Sequence, residues 1–188
     1  MRIAALISGS GTTLQNLIDR QVGEIVGVVA SRPGIAGIAR AALAGLPHCV
    51  VARHNKMTPE QHSELIFDAV RGWNPDIVCL CGWLTLLQIP SDFAGRVLNI
   101  HPSLLPSFGG RGMYGPRVHQ AVLDAGCKVS GCTVHLADSA YDTGRILVQK
   151  CVSVRDGDTA ESLGVRVFAA ECDAYPEAIC QVDKARAG

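Results

Sequence analysis

The sequence predicts an α/β fold, a Rossmann-like three-layer sandwich whose mostly parallel sheet is extended by antiparallel strands in the C-terminal part. Up to residue 101, short apolar runs alternate with helix-type patterns. These runs are apolar almost throughout rather than at every second residue, which is typical of parallel strands buried on both faces. After residue 127, two strand-like segments follow each other directly, as they do in an antiparallel pair.

The elements follow in chain order. Strands are predicted at residues 2–8, 24–31, 48–53, 76–81 and 96–101, and helices at residues 12–21, 34–45, 58–73 and 115–125. KVSGCTVHLAD (128–138) and GRILVQKCVSV (144–154) are the two later strands. The last helix is predicted to begin at Asp158, where DTAE has the pattern of a capping box that closes on Glu161, and to end near Gln181.

Length and composition favour a single domain with its own hydrophobic core. The chain has 188 residues, of which 48% are apolar and 18% are charged, and this composition excludes a disordered chain. We interpret residues 1–101 as a parallel βα half, residues 102–182 as a loop followed by antiparallel strands and the C-terminal helix, and residues 183–188 as a polar tail.

Charge and hydropathy restrict the class of partner. The formal net charge is zero and no Lys/Arg run occurs, so neither nucleic acid nor a membrane surface is expected as partner. A small-molecule ligand is expected instead. The sequence shows no signal peptide and no apolar run of membrane-spanning length, which predicts a cytoplasmic protein.

Neither the cysteines nor the histidines form a metal-binding pattern. The eight cysteines include no CxxC pair, so zinc or redox chemistry is not expected, and we interpret them as buried thiols in a reducing compartment. His101, His135 and Asp142 lack the HxH or HExxH spacing, so no metal is expected. The other histidines lie in polar or helical settings and are expected at the surface: His48, His54, His62 and His119.

The first candidate site is SGSGTTLQNL, residues 8–17, directly after the first strand. A glycine-rich turn that leads into a helix presents free backbone N–H groups and the positive end of the helix dipole, both of which favour a bound phosphate. Leu14 stands where a dinucleotide fingerprint has its third glycine, so a single phosphomonoester fits better than a dinucleotide. The alternative is a tight strand-to-helix turn with Thr12 as an ordinary N-cap.

The second candidate site is the end of the fifth strand, in the segment NIHP (99–102). Residues two apart in a strand point to one face, so Asn99 and His101 are expected side by side at the carboxyl end of the strand, where open α/β sheets bind ligands. An amide donor beside an imidazole fits polarisation of a carbonyl and proton transfer. The alternative is a polar pair that only caps a loop. The following SFGGRGMYG (107–115) fits either a mobile lid or an irregular connection.

The third candidate site is the loop that opens DSAYDTGRILVQ, residues 138–149. A carboxylate of Asp138 or Asp142 beside His101 would raise the pKa of the imidazole. An Asp before Thr-Gly is also a common turn former, and that alternative stays open. His135, on the strand before this loop, fits either a supporting position behind the site or a core histidine bonded to the backbone.

Together these segments resemble the folate-dependent formyltransferase family, and within it the phosphoribosylglycinamide (glycinamide ribonucleotide) formyltransferases of purine biosynthesis. Five motifs carry the resemblance: ISGSGTTLQ, PDIVCLCGWLTLL, NIHPSLLP, GCTVHLAD and YDTGRILVQ. NIHPSLLP marks the wider formyltransferase group, and the GSG loop narrows the resemblance within it. A sugar-nucleotide formyltransferase is the alternative enzyme, and a folate- or nucleotide-binding module is the non-enzymatic alternative.

The resemblance implies substrates, a reaction and the residues that serve it. The amine of 5'-phosphoribosylglycinamide attacks the formyl carbon of the co-substrate 10-formyltetrahydrofolate and gives a tetrahedral intermediate. Asn99 is implied to donate to the oxyanion, His101 to act as the acid, and Asp142 to raise the pKa of His101. Contacts to the phosphoribosyl substrate are implied for Gly11, Thr12, Thr13, Pro102 and Glu171, and contacts to the folate for Leu84, Thr85, Leu86, Leu87, Ala140 and Tyr141. Small molecules are the expected partners of a monomer or homodimer.

Overall fold

In the computed structural model, which describes residues 1–187, the chain forms two compact units. The first unit is Met1–Leu98, and the second unit begins at Asn99. This boundary lies close to the predicted division after residue 101. The interpretation of the chain as a single domain stays a prediction.

The first unit carries a parallel sheet with the strand order β3-β2-β1-β4. Its elements are β1 (Arg2–Ile7), α1 (Thr12–Arg20), β2 (Glu24–Ala30), α2 (Ala36–Leu43), β3 (His48–Val50), α3 (Pro59–Arg71), β4 (Ile77–Leu80) and a 3₁₀ turn at Ser91–Phe93. Strand β1 is buried from Ile3 to Ile7, and β4 is buried along its whole length. This burial explains the continuous apolar runs, because a parallel strand is covered on both faces.

The second unit carries the antiparallel part of the fold. Strand β5 (Val97–His101) ends in it, followed by α4 (Pro116–Asp124), β6 (Val129–Leu136), β7 (Ile146–Ser153) and α5 (Ala160–Ala187). Strands β6 and β7 pair antiparallel, with Val129 opposite Ser153 at one end, and α5 packs on both strands and on α4. The predicted α/β class is confirmed, with parallel strands first and antiparallel strands in the C-terminal part.

Helix α5 begins with a different capping pair from the predicted one. The N–H of Ser162 donates to Thr159 Oγ1 at 3.2 Å, and the N–H of Thr159 donates to Ser162 Oγ at 3.0 Å. Asp158 instead accepts from Arg166 Nη2 at 2.8 Å, and this guanidinium holds the pKa of the Asp158 carboxyl well below its usual range. The predicted box from Asp158 to Glu161 is therefore wrong by one residue, because the ion pair with Arg166 occupies the carboxylate.

The far end of α5 also differs from the prediction. The helix continues beyond Gln181 to Ala187, so the predicted polar tail is helical over residues 183–187, and residue 188 lies outside the described residues. Lys184 and Arg186 lie in the last turn, where positive side chains interact favourably with the helix dipole.

Two histidines expected at the surface are buried. His62 is 1% exposed and His119 is 7% exposed. Nε2 of His62 lies 2.9 Å from the carbonyl oxygen of Val51, and its ring stacks on Trp83 with 6.2 Å between the ring centroids. A Cβ atom added to Gly164 of α5 would lie 3.0 Å from Cδ2 of His119. The surface prediction is wrong for both residues because each lies on the buried side of an amphipathic helix.

The cysteines are less uniform than the predicted set of buried thiols. Cys79, Cys81 and Cys132 are buried, whereas Cys151 and Cys180 are exposed. Cys151 lies on β7, along which covered and exposed residues alternate, and an apolar run of residues does not reveal which face is covered. No disulfide joins any of the described cysteines.

Candidate active site

Four polar side chains of the second unit meet in what we call the polar cluster: Asn99, His101, His135 and Asp142. Asn99 and His101 lie on β5, His135 lies on β6, and Asp142 lies in the loop before β7. Asn99 Nδ2 is 3.4 Å from Asp142 Oδ1, and His101 Nδ1 is 3.4 Å from Asp142 Oδ2. The structure thus brings together the three residues that the sequence predicts to be catalytic, and the alternation of β5 directs two of them to one carboxylate.

The carboxylate of Asp142 is fixed by the loop around it. Its backbone has a φ of 58°, a left-handed conformation that Asp adopts more readily than most residues with a side chain. The N–H of Gly110 donates to Asp142 Oδ2 at 2.9 Å. Asp138 accepts from the N–H of Ala140 at 3.0 Å and from the hydroxyl of Thr143 at 2.7 Å. Asp138 is thus the turn former, and Asp142 carries the carboxylate that enters the polar cluster.

His135 links Asn99 to the backbone. Its Nδ1 lies 2.9 Å from the carbonyl oxygen of Leu136, which only accepts, so Nδ1 carries the hydrogen. Nε2 is then the acceptor for Asn99 Nδ2 at 3.1 Å. The amide nitrogen of Asn99 therefore directs one hydrogen to His135 and the other to Asp142. His135 holds the orientation of this amide by direct contact.

His101 has an acceptor on each side of its ring. Nε2 lies 2.9 Å from the carbonyl oxygen of Phe108 and carries the hydrogen, and Nδ1 faces Asp142. Burial lowers the pKa of His101 below its ordinary value, although the charge of Asp142 and the Phe108 carbonyl act in the opposite direction. The predicted upward effect of Asp142 exists, but the net shift is downward because burial has the larger effect. The imidazole is consequently neutral at pH 7.

The carboxyl of Asp142 is ionised at neutral pH. Burial alone would raise the pKa of Asp142, but the neighbouring His135, the charge of His101 and the N–H of Gly110 outweigh it, so the pKa lies below its ordinary value. A carboxylate beside a neutral imidazole stabilises the cation that forms when the imidazole takes a proton. With the amide of Asn99, the polar cluster has the groups needed to accept a proton and to stabilise an oxyanion.

Sequence reasoning missed the backbone groups that hold the polar cluster. Phe108 and Gly110 lie in the segment interpreted as a lid or a connection, yet a carbonyl and an N–H of this segment bond to the cluster. A Cβ atom added to Gly109 would lie 2.6 Å from Leu105 Cδ2 and 3.2 Å from Asp142 Cβ. The Gly-Gly pair is the signal that the sequence offered, because only glycine permits such a close approach of backbone to a side chain.

A second set of missed residues holds the loop between β5 and this segment. Thr133 Oγ1 donates to the carbonyl of Ser103 at 2.7 Å and accepts from the N–H of Leu105 at 3.0 Å. Gln149 Nε2 donates to the carbonyl of Leu105 at 2.9 Å, and Ser103 Oγ donates to the carbonyl of Ser107 at 2.6 Å. The bonds of Thr133 and Gln149 join residues that are distant in sequence, so no local pattern indicates them.

The remaining predicted site residues of the second unit are not members of the polar cluster. Glu171 lies on α5, and burial raises its pKa to about 7, so this carboxyl is partly protonated at neutral pH. Pro102 directly follows His101 and is half-buried. In the loop of Asp142, Ala140 is exposed and Tyr141 is half-buried.

The glycine loop of the first unit, residues 8–13, leads from β1 into α1. Gly11 is the N-cap residue with a φ of 72°, no side chain caps the helix, and α1 begins at Thr12. Thr12 is therefore not the N-cap that the alternative interpretation required. Thr12 is exposed and Thr13 is half-buried. The first N–H groups of an α-helix have no intrahelical acceptor, so the site predicted for a phosphate has donors to offer.

The segment 84–87, predicted to line a folate pocket, is held by two serine hydroxyls of the first unit. Ser8 Oγ accepts from the N–H of Leu84 at 3.3 Å, and Ser63 Oγ accepts from the N–H of Gln88 at 2.9 Å. The side chain of Leu84 is 49% exposed and offers an apolar surface. It is followed by half-buried Thr85 and Leu86 and by buried Leu87.

The described residues offer neither a metal site nor a membrane-spanning helix. In residues 1–187, no three side chains of His, Cys, Asp or Glu are grouped so that they would hold a metal ion. In the same range, no helix combines the length and the hydropathy that a membrane crossing requires.

The fold and the polar cluster together define an α/β protein with a site suited to transfer of an acyl-type group. Residues 1–179 match the family described as "Formyl transferase", and the chain belongs to this family.

Relatives with curated descriptions are larger proteins. The chain is 40% identical over 185 residues to "Trifunctional purine biosynthetic protein adenosine-3" of Bos taurus, an alignment that covers 95% of this chain and 18% of that protein. It is 38% identical over 192 residues to "Phosphoribosylglycinamide formyltransferase, chloroplastic" of Arabidopsis thaliana, covering 96% of this chain and 65% of that protein. The chain thus spans less than two thirds of the length of either relative.

Solved structures match the chain along most of both lengths. Glycinamide ribonucleotide transformylase 1 from Symbiobacterium toebii matches with a TM-score of 0.88 at 37% identity, covering 95% of this chain and 85% of that one. Phosphoribosylglycinamide formyltransferase from Brucella melitensis matches with a TM-score of 0.86 at 41% identity, covering 96% of this chain and 94% of that one.

Proposed function

We propose that this chain transfers the formyl group of 10-formyltetrahydrofolate to the amine of 5'-phosphoribosylglycinamide in purine biosynthesis. Membership of the formyl transferase family supports the reaction class, and the names of the relatives support the acceptor. The observation that carries the proposal is the convergence of Asn99 and His101 on Asp142, with 3.4 Å contacts to its two carboxylate oxygens. No metal takes part in the proposed reaction.

The polar cluster would act on the adduct that forms when the amine attacks the formyl carbon. The 3.4 Å contact from Asn99 to Asp142 is longer than the 3.1 Å contact from Asn99 to His135, so the weaker contact is the one that yields to the substrate. The oxyanion then accepts this hydrogen of the Asn99 amide.

His101 would move the proton that the attacking amine loses. Its imidazole is neutral at pH 7 because burial lowers the pKa, so it accepts a proton. Asp142 stabilises the imidazolium that results, and the proton then passes to the leaving group. A pKa below the usual value makes the protonated His101 the stronger acid for this second step.

The substrate contacts that the resemblance to the family implies are part of the proposal. In the proposal, Gly11, Thr12 and Thr13 bind the phosphate, Glu171 binds the ribose hydroxyls, and Pro102 lies against the glycinamide end. The folate is bound by a set of mostly apolar residues: Leu84, Thr85, Leu86, Leu87, Ala140 and Tyr141. The partly protonated state of Glu171 fits hydrogen bonding to hydroxyl groups, since such a carboxyl both donates and accepts.

A turnover assay with three amine acceptors tests the proposal. Wild-type protein with 10-formyltetrahydrofolate should formylate 5'-phosphoribosylglycinamide and leave an amino-sugar nucleotide and buffer amines unmodified. Formylation of the amino-sugar nucleotide alone would show that the acceptor in the proposal is wrong. Binding of folate without transfer to any amine would indicate a binding module.

Two histidine variants check that the polar cluster is responsible for turnover. His101→Ala should reduce kcat roughly 100- to 10,000-fold, the usual contribution of a general acid–base group, and should leave the Kd for the folate nearly unchanged. His48→Ala, at an exposed histidine, should keep wild-type activity. Near-normal turnover of His101→Ala would remove His101 from the mechanism.

A further inference from the structure

Helix α2 holds two consecutive carbonyl groups of the glycine loop. The N–H of Gly37 donates to the carbonyl of Gly9 at 3.1 Å, and Nε of Arg40 donates to the carbonyl of Ser10 at 2.9 Å. We infer that Arg40 is a positioning residue for the phosphate site: its guanidinium orients the peptide between Ser10 and Gly11, beside the preceding peptide that the N–H of Gly37 holds, so that the N–H groups of the glycine loop face the substrate phosphate. This inference rests on the proposed function, in which the loop binds that phosphate.

The geometry of a trans peptide links the two carbonyl bonds to the direction of the N–H groups. In such a peptide, the C=O of one residue and the N–H of the next point in opposite directions. Since the carbonyls of Gly9 and Ser10 are bonded to α2, the N–H groups of Ser10 and Gly11 point away from α2. Two successive N–H groups on one side form a concave donor pair that favours an anion, and no carbonyl dipole of these peptides opposes it.

The guanidinium of Arg40 also joins the loop to the first turn of α1. Its Nη1 donates to Gln15 Oε1 at 3.2 Å, and Gln15 Nε2 donates to Asp19 Oδ1 at 2.8 Å. The N–H of Gln15 donates to the carbonyl of Gly11 at 2.9 Å. One planar group thus fixes both the loop and the helix that supply the donors, which a single ammonium group does not do with the same geometry.

The stem of Arg40 lies directly against the loop. A Cβ atom added to Gly11 would lie 3.4 Å from Arg40 Cδ and 2.6 Å from Gly37 Cα. Arg40 itself is half-buried, so its rotamer is restricted by the packing around it. Its fixed positive charge, which is bonded through Nε to the Ser10 carbonyl at 2.9 Å, adds a favourable field for a doubly charged phosphomonoester.

Binding of ribose 5-phosphate tests the inference without requiring turnover. Calorimetry should show that Arg40→Met binds ribose 5-phosphate roughly 10- to 100-fold more weakly than wild type, as expected for loss of charge-assisted hydrogen bonds. Arg40→Lys keeps the charge but not the planar fork, so it should recover only part of this loss. The KM for 5'-phosphoribosylglycinamide should rise with the same factor, whereas the KM for 10-formyltetrahydrofolate should not change.

Arg2→Met is the matched control. Arg2 also binds two backbone carbonyls of the first unit, those of Asn74 at 3.1 Å and Trp73 at 2.8 Å, and does not contact the glycine loop. This variant should bind ribose 5-phosphate as wild type does. Circular dichroism and thermal unfolding of all variants separate loss of the site from loss of the fold.

The outcomes distinguish a failure of this inference from a failure of the proposed function. Wild-type affinity in Arg40→Met, full recovery in Arg40→Lys, or no binding of ribose 5-phosphate by wild type would overturn the inference. If Arg40→Met formylates 5'-phosphoribosylglycinamide with an unchanged KM for this substrate, the inference is overturned and the proposed function is not. Weakened ribose 5-phosphate binding in a protein that formylates no phosphoribosyl amine would support the inference and overturn the proposed function.

Discussion

The glycine loop of the first unit and the polar cluster of the second unit are built from different parts of the chain. The loop is a backbone structure, in which Gly11 has a φ of 72° and no side chain caps the helix that follows. The cluster is a side-chain structure, in which two buried histidines meet a half-buried carboxylate and a half-buried amide. We therefore expect substitutions that add atoms to disturb the glycine loop, and substitutions that remove polar atoms to disturb the polar cluster.

Of the substitutions that compare these two regions, Asn99→Ala should give the largest effect, and it tests the side-chain structure of the polar cluster. Removal of one oxyanion donor typically reduces kcat about 100- to 1,000-fold. The amide also occupies Nε2 of His135, so its removal leaves a buried acceptor without its donor. Steady-state kinetics measure the effect, with Asn55→Ala at an exposed asparagine as control. A loss of less than tenfold in kcat would show that Asn99 does not stabilise the oxyanion.

Gly11→Ala should give the next largest effect and test the backbone half. The added Cβ would lie 2.6 Å from Gly37 Cα, and φ is 72°, so both collision and backbone strain oppose it. Such strain costs about 1–3 kcal/mol, and we expect a higher KM for the phosphoribosyl substrate together with a lower midpoint of thermal unfolding.

Gly34→Ala is the matched control for Gly11→Ala. Gly34 has the same φ of 72°, but an added Cβ meets no atom within 4 Å. Thermal unfolding should show a smaller loss of stability for Gly34→Ala, and its KM should be unchanged. Equal effects of the two substitutions would show that the collision with α2 is unimportant and that only backbone strain matters.

The pH dependence of kcat tests the roles of His101 and Asp142 in the polar cluster. His101 acts as a base only when neutral, so kcat should fall as the pH decreases through its lowered pKa. The charge of Asp142 raises the pKa of His101 against the larger effect of burial. In Asp142→Asn this charge is absent, so the acid limb of the pH profile should move further towards low pH, in addition to any loss of rate.

Asp138→Asn controls for the loss of a carboxylate from the same loop. Its Oδ1 accepts from Ala140 and Thr143, and an Asn oxygen is also an acceptor for these donors. The acid limb of this variant should coincide with that of wild type. A shift of the limb to higher pH in Asp142→Asn would contradict the assignment of the limb to His101.

The sequence predicted well what depends on neighbours in the chain. The period of two residues in β5 placed Asn99 and His101 on one face, and continuous apolar runs indicated the parallel strands that are buried on both faces. The glycine loop was also visible, because its residues are consecutive. The loop pattern left Asp138 and Asp142 as alternatives, and only the resemblance to a family selected Asp142, because its position depends on a contact with Gly110, which is far away in the sequence.

The predictions failed where a distant partner decides the outcome. His119 is buried because α5 covers it at Gly164, and nothing in the sequence around α4 indicates that contact. The predicted upward effect of Asp142 on the pKa of His101 exists, but the net downward shift could not be predicted for the same reason: an Asp can be located in a motif, whereas the extent of burial depends on the whole fold.

Thr12→Ala should give the smallest effect. It tests whether the backbone of the glycine loop, rather than a side chain, binds the phosphate. Thr12 is the first residue of α1, and the cap before it is Gly11, whose backbone rather than a side chain closes the helix. Loss of the Thr12 hydroxyl removes neither a cap nor a backbone N–H, so thermal unfolding should be unchanged and the KM for the phosphoribosyl substrate should rise only slightly.

Thr58→Ala provides the contrast, because the same substitution there removes a true cap. Thr58 Oγ1 accepts from the N–H of Gln61 at 3.2 Å in a capping box at the start of α3, and loss of such a cap costs about 0.5–2 kcal/mol. Thermal unfolding should therefore detect Thr58→Ala and not Thr12→Ala. A large increase in KM for Thr12→Ala would mean that its hydroxyl, and not the backbone of the glycine loop, provides most of the affinity for the phosphate.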